Sequence, residues 1–178
     1  MTVQSLIETP QTTYFVHDQP SNSVRFVAAQ PEDEDAVATL FEALHRYNTT
    51  LDAHFALSDG WEPILRAEFR ASYDDPDRMW LLVKDGDEAV GLLIAGVHTD
   101  SPLFRHRQWV EVQAVYVADS HRRMGIARNL LNRAYAWAET KNLARVQLYV
   151  TASNVRAQSV YTEEGFATTQ AIMLKKVS

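Results

Sequence analysis

The sequence contains no cysteine, only six glycines among its 178 residues, and no long apolar run. Without cysteine, disulfide bonds, thiolate nucleophiles and cysteine-based zinc sites are excluded. No segment reaches the roughly 20 apolar residues needed to cross a bilayer. The amino terminus also lacks the basic and then apolar segments of a secretory signal. These absences predict a cytoplasmic protein without a membrane-spanning segment.

The two main segments of the chain carry net charges of opposite sign. The net charge of -6 combines -9 over Pro31 to Asp77, +4 over Arg78 to Ser178 and -1 over the first 30 residues. Oppositely charged ligands could bind the two halves, although most of these groups are expected on solvated surface. The six histidines form no His-Glu-x-x-His or His-x-His pattern. We therefore expect no metal site, and neither nucleic acid nor a membrane as a partner.

The first 23 residues differ in composition from the rest of the chain. They are polar, contain two prolines, and carry no lysine or arginine. We expect residues 1–23 to form a flexible amino-terminal arm, with one short extended piece around Tyr14 to Val16. Residues 24–178 are long enough for one well-filled core and are predicted to form a single domain.

Hydrophobic periodicity predicts the order strand, helix, helix, three strands, helix, strand, helix, strand. The predicted segments are Val24 to Ala29, Pro31 to about Thr50, Trp61 to Ser72, Met79 to Val83, Ala89 to Val97, Trp109 to Val117, a helix from Ile126, Val146 to Val150, a short helix from Asn154, and Ala171 to Val177. This order predicts an α/β fold, with a mixed, largely antiparallel central sheet and helices on both faces. Glu111, Gln113, Val115 and Val117 share one face of their strand if no bulge intervenes.

A basic turn follows the strand that ends at Val117. The turn carries Arg122, Arg123 and Gly125, and it opens the predicted helix that also holds Arg128. The first N–H groups of a helix have no partner within the helix, and the helix dipole is positive at that end. A phosphate is therefore stabilised there, and the arginines add positive charge.

Two motifs in this region resemble those of the GNAT superfamily of acetyl-coenzyme A-dependent N-acetyltransferases. The family's pyrophosphate-binding signature, Arg or Gln-x-x-Gly-x-Gly or Ala, is matched by Arg122-Arg123-Met124-Gly125-Ile126-Ala127. A later helix of the family is matched by Asn154, Ala157, Tyr161, Gly165 and Phe166. The similarity is close from Trp109 to Phe166 and extends, in the order of elements, from Val24 to Val177. The fold implied is the GNAT-like acyltransferase fold.

The resemblance implies acetyl-coenzyme A as co-substrate, without a metal. The backbone N–H groups of Arg123, Met124, Gly125, Ile126 and Ala127 are expected to hold the pyrophosphate, with Arg122 nearby. The backbone of Val115 and Val117 is expected to pair with the pantetheine arm, as in the addition of a strand to a sheet edge. Asn154 is expected to reach the same arm.

Attack of an amine on a thioester needs a base for the amine and an acid for the thiolate, because an alkylamine with a pKa of about 10.4 is mostly protonated at neutral pH. By resemblance, Glu111 is the candidate base and Tyr161 the candidate acid. Each also has a structural interpretation: Glu111 as a partner of Arg105 or Arg107, and Tyr161 as a packed helix residue. Backbone N–H groups near Val115 to Val117 are expected to meet the developing oxyanion.

Three other groups allow more than one interpretation. Gln113 occupies the position where the polyamine-acetylating branch has its glutamate, and an amide cannot take a proton. His121 precedes the turn, and there it is expected to face the phosphates, far from the thioester. Four carboxylates attract a cationic amine or form ordinary helix surface: Asp52, Asp59, Glu62 and Glu68.

These features predict an enzyme that moves an acetyl group from acetyl-coenzyme A to a primary amine of a small molecule, by direct attack in a ternary complex. One alternative is acetylation of a protein lysine or amino terminus. Another is a non-catalytic module that binds acyl-coenzyme A and acts through a protein partner. A homodimer is compatible with these features. The absence of Gly-x-Gly-x-x-Gly and Gly-Lys-Ser/Thr disfavours a dinucleotide-binding enzyme.

Overall fold

The structure is a computed structural model that describes residues 24–175 and 177. The predicted arm of residues 1–23, with its extended piece at Tyr14 to Val16, lies outside this range. Among the described residues, no helix is both long enough and apolar enough to cross a membrane.

A five-stranded mixed sheet forms the centre of the fold. Its strands are β1 (Val24–Ala28), β2 (Arg78–Asp85), β3 (Glu88–Thr99), β4 (Gln108–Val117) and β5 (Val146–Leu148). They lie in the order β1-β2-β3-β4-β5. All neighbours are antiparallel except β4 and β5, which are parallel. The predicted mixed, largely antiparallel sheet is confirmed.

Four α-helices accompany the sheet: α1 (Glu34–Leu51), α2 (Trp61–Ser72), α3 (Ile126–Thr140) and α4 (Val155–Glu163). A 3₁₀ turn, Pro31–Asp33, leads into α1. Asp33 is buried, accepts a hydrogen bond from the Gln30 N–H at 3.0 Å, and pairs with Lys84 Nζ at 2.6 Å. Because Lys84 lies on β2, this pair fixes the start of α1 against the sheet.

Helices cover both faces of the sheet and create two separate hydrophobic clusters. The α3 cluster contains Leu130 and Trp137 of α3, together with Leu81 and Val83 of β2. The α1/α2 cluster contains residues of both helices and the alternate strand positions; its fully buried members include Val37, Phe69, Leu82 and Leu92. Because both faces of β2 and β3 are covered, these strands are near-continuous apolar runs in the sequence.

A β-bulge divides β4 into two halves. Ile94 of β3 pairs with Ala114, whereas the next β3 residue, Ala95, pairs with Val112, so Gln113 is the extra residue. The side chains therefore change face at Gln113. Val110 and Val112 lie in the α3 cluster, while Ala114 lies in the α1/α2 cluster. The predicted common face of Glu111, Gln113, Val115 and Val117 is wrong, because Val115 and Val117 pack with the α3 cluster, and Glu111, next to Val110 and Val112, points to the opposite face.

The predicted last strand, Ala171 to Val177, is also not formed within the described range. Residues 171–175 have no regular secondary structure. Ile172, Met173 and Leu174 are strongly exposed. A strand needs a partner as well as an apolar sequence, and β5 ends after three residues. The predicted strand Val146 to Val150 is correspondingly shorter than expected.

Candidate functional site

The turn between β4 and α3 has a backbone shaped to bind an anion. Arg123 and Gly125 have positive φ values of 65° and 74°, and Gly125 is the N-cap residue of α3. Left-handed residues interspersed in such a turn direct successive N–H groups toward one concave side. The unpaired N–H groups of the first turn of α3 add to this set. A Cβ at Gly125 would meet no atom within 4 Å, so the positive φ, rather than crowding, favours glycine there.

The side chains of the predicted signature point in different directions. Ile126 is buried in the α3 cluster, and Ala127 is half-buried, so each can offer a ligand little beyond its backbone. Met124 is half-exposed, and Arg123 is exposed. Arg122 is tied to the protein: its Nε donates to the Val117 carbonyl at 3.1 Å, and its Nη2 lies 2.5 Å from Asp119 Oδ1. Arg122 therefore shapes the turn as well as lining it.

A cavity of about 330 Å³ lies beside this turn and is lined by Asp119, Arg122, Arg123 and Arg156. Arg156 is a functional candidate that the sequence motifs did not identify. It lies in the first turn of α4, two residues after Asn154. Its closeness in the sequence to Asn154, a predicted binding residue, was the signal that could have identified it. Three arginines against one carboxylate make the cavity suited to a phosphate-bearing ligand.

Two residues near the turn have other partners. Arg128 was predicted to add charge to the anion site, but its Nε donates to Glu164, which directs its side chain to the end of α4. That prediction is wrong because a charged neighbour 36 residues away captures the guanidinium. His121 lies 3.2 Å from Asp85 at the end of β2 and contacts Ser120 Oγ at 2.8 Å. His121 therefore links the turn to the sheet.

The second half of β4 has an open edge. β5 pairs only with Val110, Glu111 and Val112, before the bulge. In the part of the chain that the structure describes, no strand pairs with Ala114 to Val117 on that side. Val115 and Val117 are half-buried, and their backbone leads directly into the anion-binding turn. An extended ligand with amide groups fits such an edge.

Glu111 lies on β4 just before the bulge, with a side chain only 17% exposed. Its Oε2 is 3.9 Å from His98 Nδ1, and the His98 ring stacks on Trp109 at 4.2 Å. Arg105 and Arg107 were its expected alternative partners, but within residues 24–175 the basic side chain that lies within 4 Å of Glu111 is His98. Glu111 is therefore a partly desolvated carboxylate beside an imidazole.

The α4 helix carries the other two predicted residues. Asn154 is its N-cap, and its Oδ1 accepts a hydrogen bond from the Ala157 N–H at 3.1 Å. The amide nitrogen of Asn154 is thus the group that can donate to a ligand. Tyr161 packs edge-on against Phe166, with the ring centroids 5.8 Å apart. Burial raises the pKa of the Tyr161 phenol above its ordinary value, so the phenol keeps its proton at neutral pH.

The four carboxylates proposed to attract a cationic amine do not form one cluster. Glu62 pairs with Arg66 at 2.6 Å, and Glu68 pairs with Arg78 at 2.5 Å. Asp52 accepts from the His54 ring at 2.8 Å. Asp59 lines a second cavity, of about 610 Å³, between the C-terminal half of α1 and the loop before α2. For three of the four, the structure thus supports the interpretation as ordinary paired surface groups.

The mixed sheet has helices on both faces and an open strand edge that leads into an anion-binding turn at a helix start, an arrangement suited to an extended ligand that carries a phosphate. Residues 37–166 match the model of the Acetyltransferase (GNAT) family. The chain therefore belongs to this family, and the resemblance found in the sequence is confirmed.

Individual relatives agree with this assignment. The chain is 30% identical over 102 residues to the mycothiol acetyltransferase of Beutenbergia cavernae, a stretch that covers 57% of this chain and 32% of that protein. The chain thus spans about a third of the length of this curated relative.

Solved structures share the fold at low sequence identity. The aminoglycoside antibiotic 6'-N-acetyltransferase AAC(6')-IG from Acinetobacter haemolyticus aligns with a TM-score of 0.68 and 19% identity, over 86% of this chain and 99% of that one. AAC(6')-Iy, in complex with the bisubstrate analog CoA-S-monomethyl-acetylneamine, aligns with a TM-score of 0.67 and 15% identity, over 87% of this chain and 98% of that one.

Proposed function

We propose that this protein transfers the acetyl group of acetyl-coenzyme A to a primary amine of a small molecule, by direct attack in a ternary complex. The observation that carries the proposal is the continuity of the open β4 edge, Ala114 to Val117, with the anion-binding turn of Arg123 and Gly125. A ligand with an amide-rich arm and a pyrophosphate has the chemistry to use both.

The donor is expected to lie along this edge, with its phosphates at the start of α3. Backbone N–H groups from Arg123 to Ala127 would hold the pyrophosphate, and Arg122 and Arg156 would add charge. The backbone of Val115 and Val117 would pair with the pantetheine arm, and the amide nitrogen of Asn154 would donate to it. Acetyl-coenzyme A supplies an acyl group activated by the thioester.

The acid and base belong to different elements of the chain. Glu111 accepts the proton that the ammonium or the attacking amine loses, directly or through water. The amine nitrogen then forms a bond to the thioester carbonyl carbon, and backbone N–H groups of β4 stabilise the negative charge on its oxygen. The carbon–sulfur bond breaks, and Tyr161 donates its phenolic proton to the leaving thiolate. The proton that the new amide nitrogen must lose passes to the Tyr161 phenolate, and the proton on Glu111 passes to solvent. Burial raises the pKa of Tyr161, so the phenol carries its proton before the step.

A small-molecule acceptor is supported by the activities of similar proteins, which include a mycothiol acetyltransferase and an aminoglycoside 6'-N-acetyltransferase. Acetylation of a protein lysine or amino terminus is the competing outcome. Purified protein offered polyamines, aminoglycosides, amino sugars, amino acids and peptides distinguishes the two by which acceptors release free coenzyme A. Because the chain has no cysteine, a thiol reagent detects only coenzyme A.

Substitution of Tyr161 by Phe tests the acid. We expect turnover to fall by roughly 10²- to 10⁴-fold while acetyl-coenzyme A still binds, since the ring is kept and only the proton donor is lost. Tyr149→Phe is the matched control, because Tyr149 is an exposed tyrosine outside the predicted site. Unchanged turnover in Tyr161→Phe would remove the phenol from the mechanism. Absence of turnover with every amine would instead favour a non-catalytic acyl-coenzyme A-binding module.

A further inference from the structure

One arginine crosses the sheet to reach the bulge of β4. Arg78 lies on β2, Gln113 lies on β4, and β3 separates them. Neighbouring strands are about 4.8 Å apart, so β2 and β4 are separated by about 9.6 Å, and the side chains of Arg78 and Gln113 together bridge this distance. Arg78 Nη1 donates to Gln113 Oε1 at 3.0 Å, and its Nη2 pairs with Glu68 of α2 at 2.5 Å. The Arg78 side chain is only 17% exposed.

Gly96 provides the path for this arginine. In the sheet, Arg78, Gly96, Glu111 and Gln147 are paired in one row across four strands, so they share a face. A Cβ at Gly96 would lie 2.8 Å from Arg78 Nη1 and 3.2 Å from its Cδ. Gly96 has no positive φ. A methyl group at Gly96 would therefore compete with the Arg78 guanidinium for space, and the atom that it would displace is the one that contacts Gln113.

The bonded residue is the extra residue of the bulge. Gln113 separates the half of β4 that carries Glu111 from the half that forms the open edge, Ala114 to Val117. A bulge inserts one residue and bends the strand, so its geometry sets the offset between the two halves. Glu68 fixes the other nitrogen of Arg78 from helix α2, so the bulge is held from outside β4 as well as by strand pairing.

The geometry points to Arg78 as a positioning residue that fixes the β4 bulge through Gln113, with Gly96 as the space it requires. This inference rests on the proposed function for its kinetic consequence. Arg78 sets the distance between the Glu111 carboxylate and a thioester on the open edge, and it takes part in no proton transfer. Its loss is expected to lower kcat by roughly 10- to 100-fold, since misplacement by about 1 Å costs that much. The KM for acetyl-coenzyme A should change by less than about threefold, because the phosphate-binding turn is untouched.

The test compares Arg78→Ala, Gly96→Ala and the double variant. If a methyl group at Gly96 acts by displacing Arg78, then Gly96→Ala lowers kcat in the native background and has no further effect in the Arg78→Ala background. Gln113→Ala should behave like Arg78→Ala. Arg78→Lys tests whether the positive charge alone is sufficient. Lysine can still pair with Glu68, but it lacks a second nitrogen that could contact Gln113 at the same time. We expect Arg78→Lys to resemble Arg78→Ala.

Arg70→Ala is the matched control. Arg70 lies on the same helix as Glu68 and pairs with Glu34 at 2.8 Å, and among the described residues its side chain forms no hydrogen bond or ion pair with β4. It should keep native kcat. Unchanged kcat in Arg78→Ala, or effects of Arg78→Ala and Gly96→Ala that multiply in the double variant, would overturn the inference.

A second measurement does not depend on activity. Urea unfolding can be measured for the native protein, Arg78→Ala, Gly96→Ala and the double variant. Gly96→Ala should lower the free energy of unfolding in the native background and change it little in the Arg78→Ala background. If no amine supports turnover, the proposed function fails. The non-additivity of the two substitutions in the free energy of unfolding still decides whether Arg78 and Gly96 depend on each other. An equal cost of Gly96→Ala in both backgrounds would refute that dependence and the inference with it.

Discussion

Replacement of Gly125 by valine separates the two roles of this glycine, in stability and in binding. The residue has φ of 74° and caps α3. A β-branched residue rarely adopts positive φ, and the left-handed conformation costs an L-residue about 1–2 kcal/mol. A Cβ there would meet nothing within 4 Å, so no clash is added to this conformational cost.

The magnitude follows from these values. A cost of about 2 kcal/mol, at about 2–4 °C per kcal/mol for a domain of this size, lowers Tm by roughly 4–8 °C. The same strain is expected to shift φ partly toward negative values, and the N–H groups of the turn then rotate away from the phosphate. The loss of one charge-assisted hydrogen bond, worth about 1.5–3 kcal/mol, weakens coenzyme A binding by roughly 10- to 150-fold.

Gly60→Val is a close control because Gly60 also caps a helix, α2, with φ of 78° and no atom within 4 Å of a Cβ. Both variants should lose similar stability in thermal unfolding, and only Gly125→Val should lose coenzyme A affinity in titration calorimetry. Turnover with S-acetylpantetheine, which lacks the pyrophosphate, should be much less affected. Native coenzyme A affinity in Gly125→Val, at a stability loss equal to that of Gly60→Val, would refute the assignment of the turn as the phosphate site.

Three further predictions concern the packing and titration of particular residues. Leu130→Ala removes a fully buried side chain from the α3 cluster and should lower the free energy of unfolding by about 2–5 kcal/mol in urea titrations; a loss below about 1 kcal/mol would contradict tight packing under α3. Tyr135→Phe should leave stability unchanged or raise it by about 1 kcal/mol, since the Tyr135 hydroxyl is buried without a hydrogen-bond partner among the described residues. Burial, with smaller effects of Glu164 and Tyr161, raises the pKa of Tyr135 to about 12. The stabilisation from the neutral form of Tyr135 is therefore complete below pH of about 10 and is lost between about 10 and 12. The free energy of unfolding of Tyr135→Phe should fall less steeply with pH in that window than that of the native protein, and identical pH dependence in the two proteins would refute this. Burial lowers the pKa of His45, although the hydrogen bond with the Phe55 carbonyl acts in the opposite direction. The free energy of unfolding of the native protein should therefore fall as the pH drops below about 6.5. Unfolding measured from pH of about 7.5 to 5 should show a weaker pH dependence in His45→Asn.

Much of the fold could be predicted from local patterns in the sequence. The period of apolar residues identified α1, α2 and α3, because a helix repeats its buried face every few residues. The Asp85-Gly86 pair is typical of a hairpin turn, and it lies between β2 and β3, where Asp85 pairs with Glu88. The basic turn and Asn154 marked the starts of α3 and α4, since caps are also local signals.

The remaining features depend on contacts between distant segments. The bulge at Gln113 arises from the pairing of β4 with β3, so the alternating pattern of β4 alone predicted the wrong face for Glu111 relative to Val115. Arg128 is captured by Glu164, and Arg156 reaches the anion-binding turn from a later helix. Neither partner is visible from the six-residue signature. The segment Ala171 to Val177 has the composition of a strand, but no neighbouring strand pairs with it in the described range.

The two hydrophobic clusters on opposite faces of the sheet have an evolutionary consequence. The α3 cluster supports the turn at Gly125. The α1/α2 cluster supports helix α2, which carries Glu68, and the loop before it, which carries Asp59. Substitutions at separated sites act nearly independently. A lineage can therefore accumulate changes around Val37 and Phe69, and so vary the exposed surface of α1 and α2, while the packing beneath the start of α3 stays as it is.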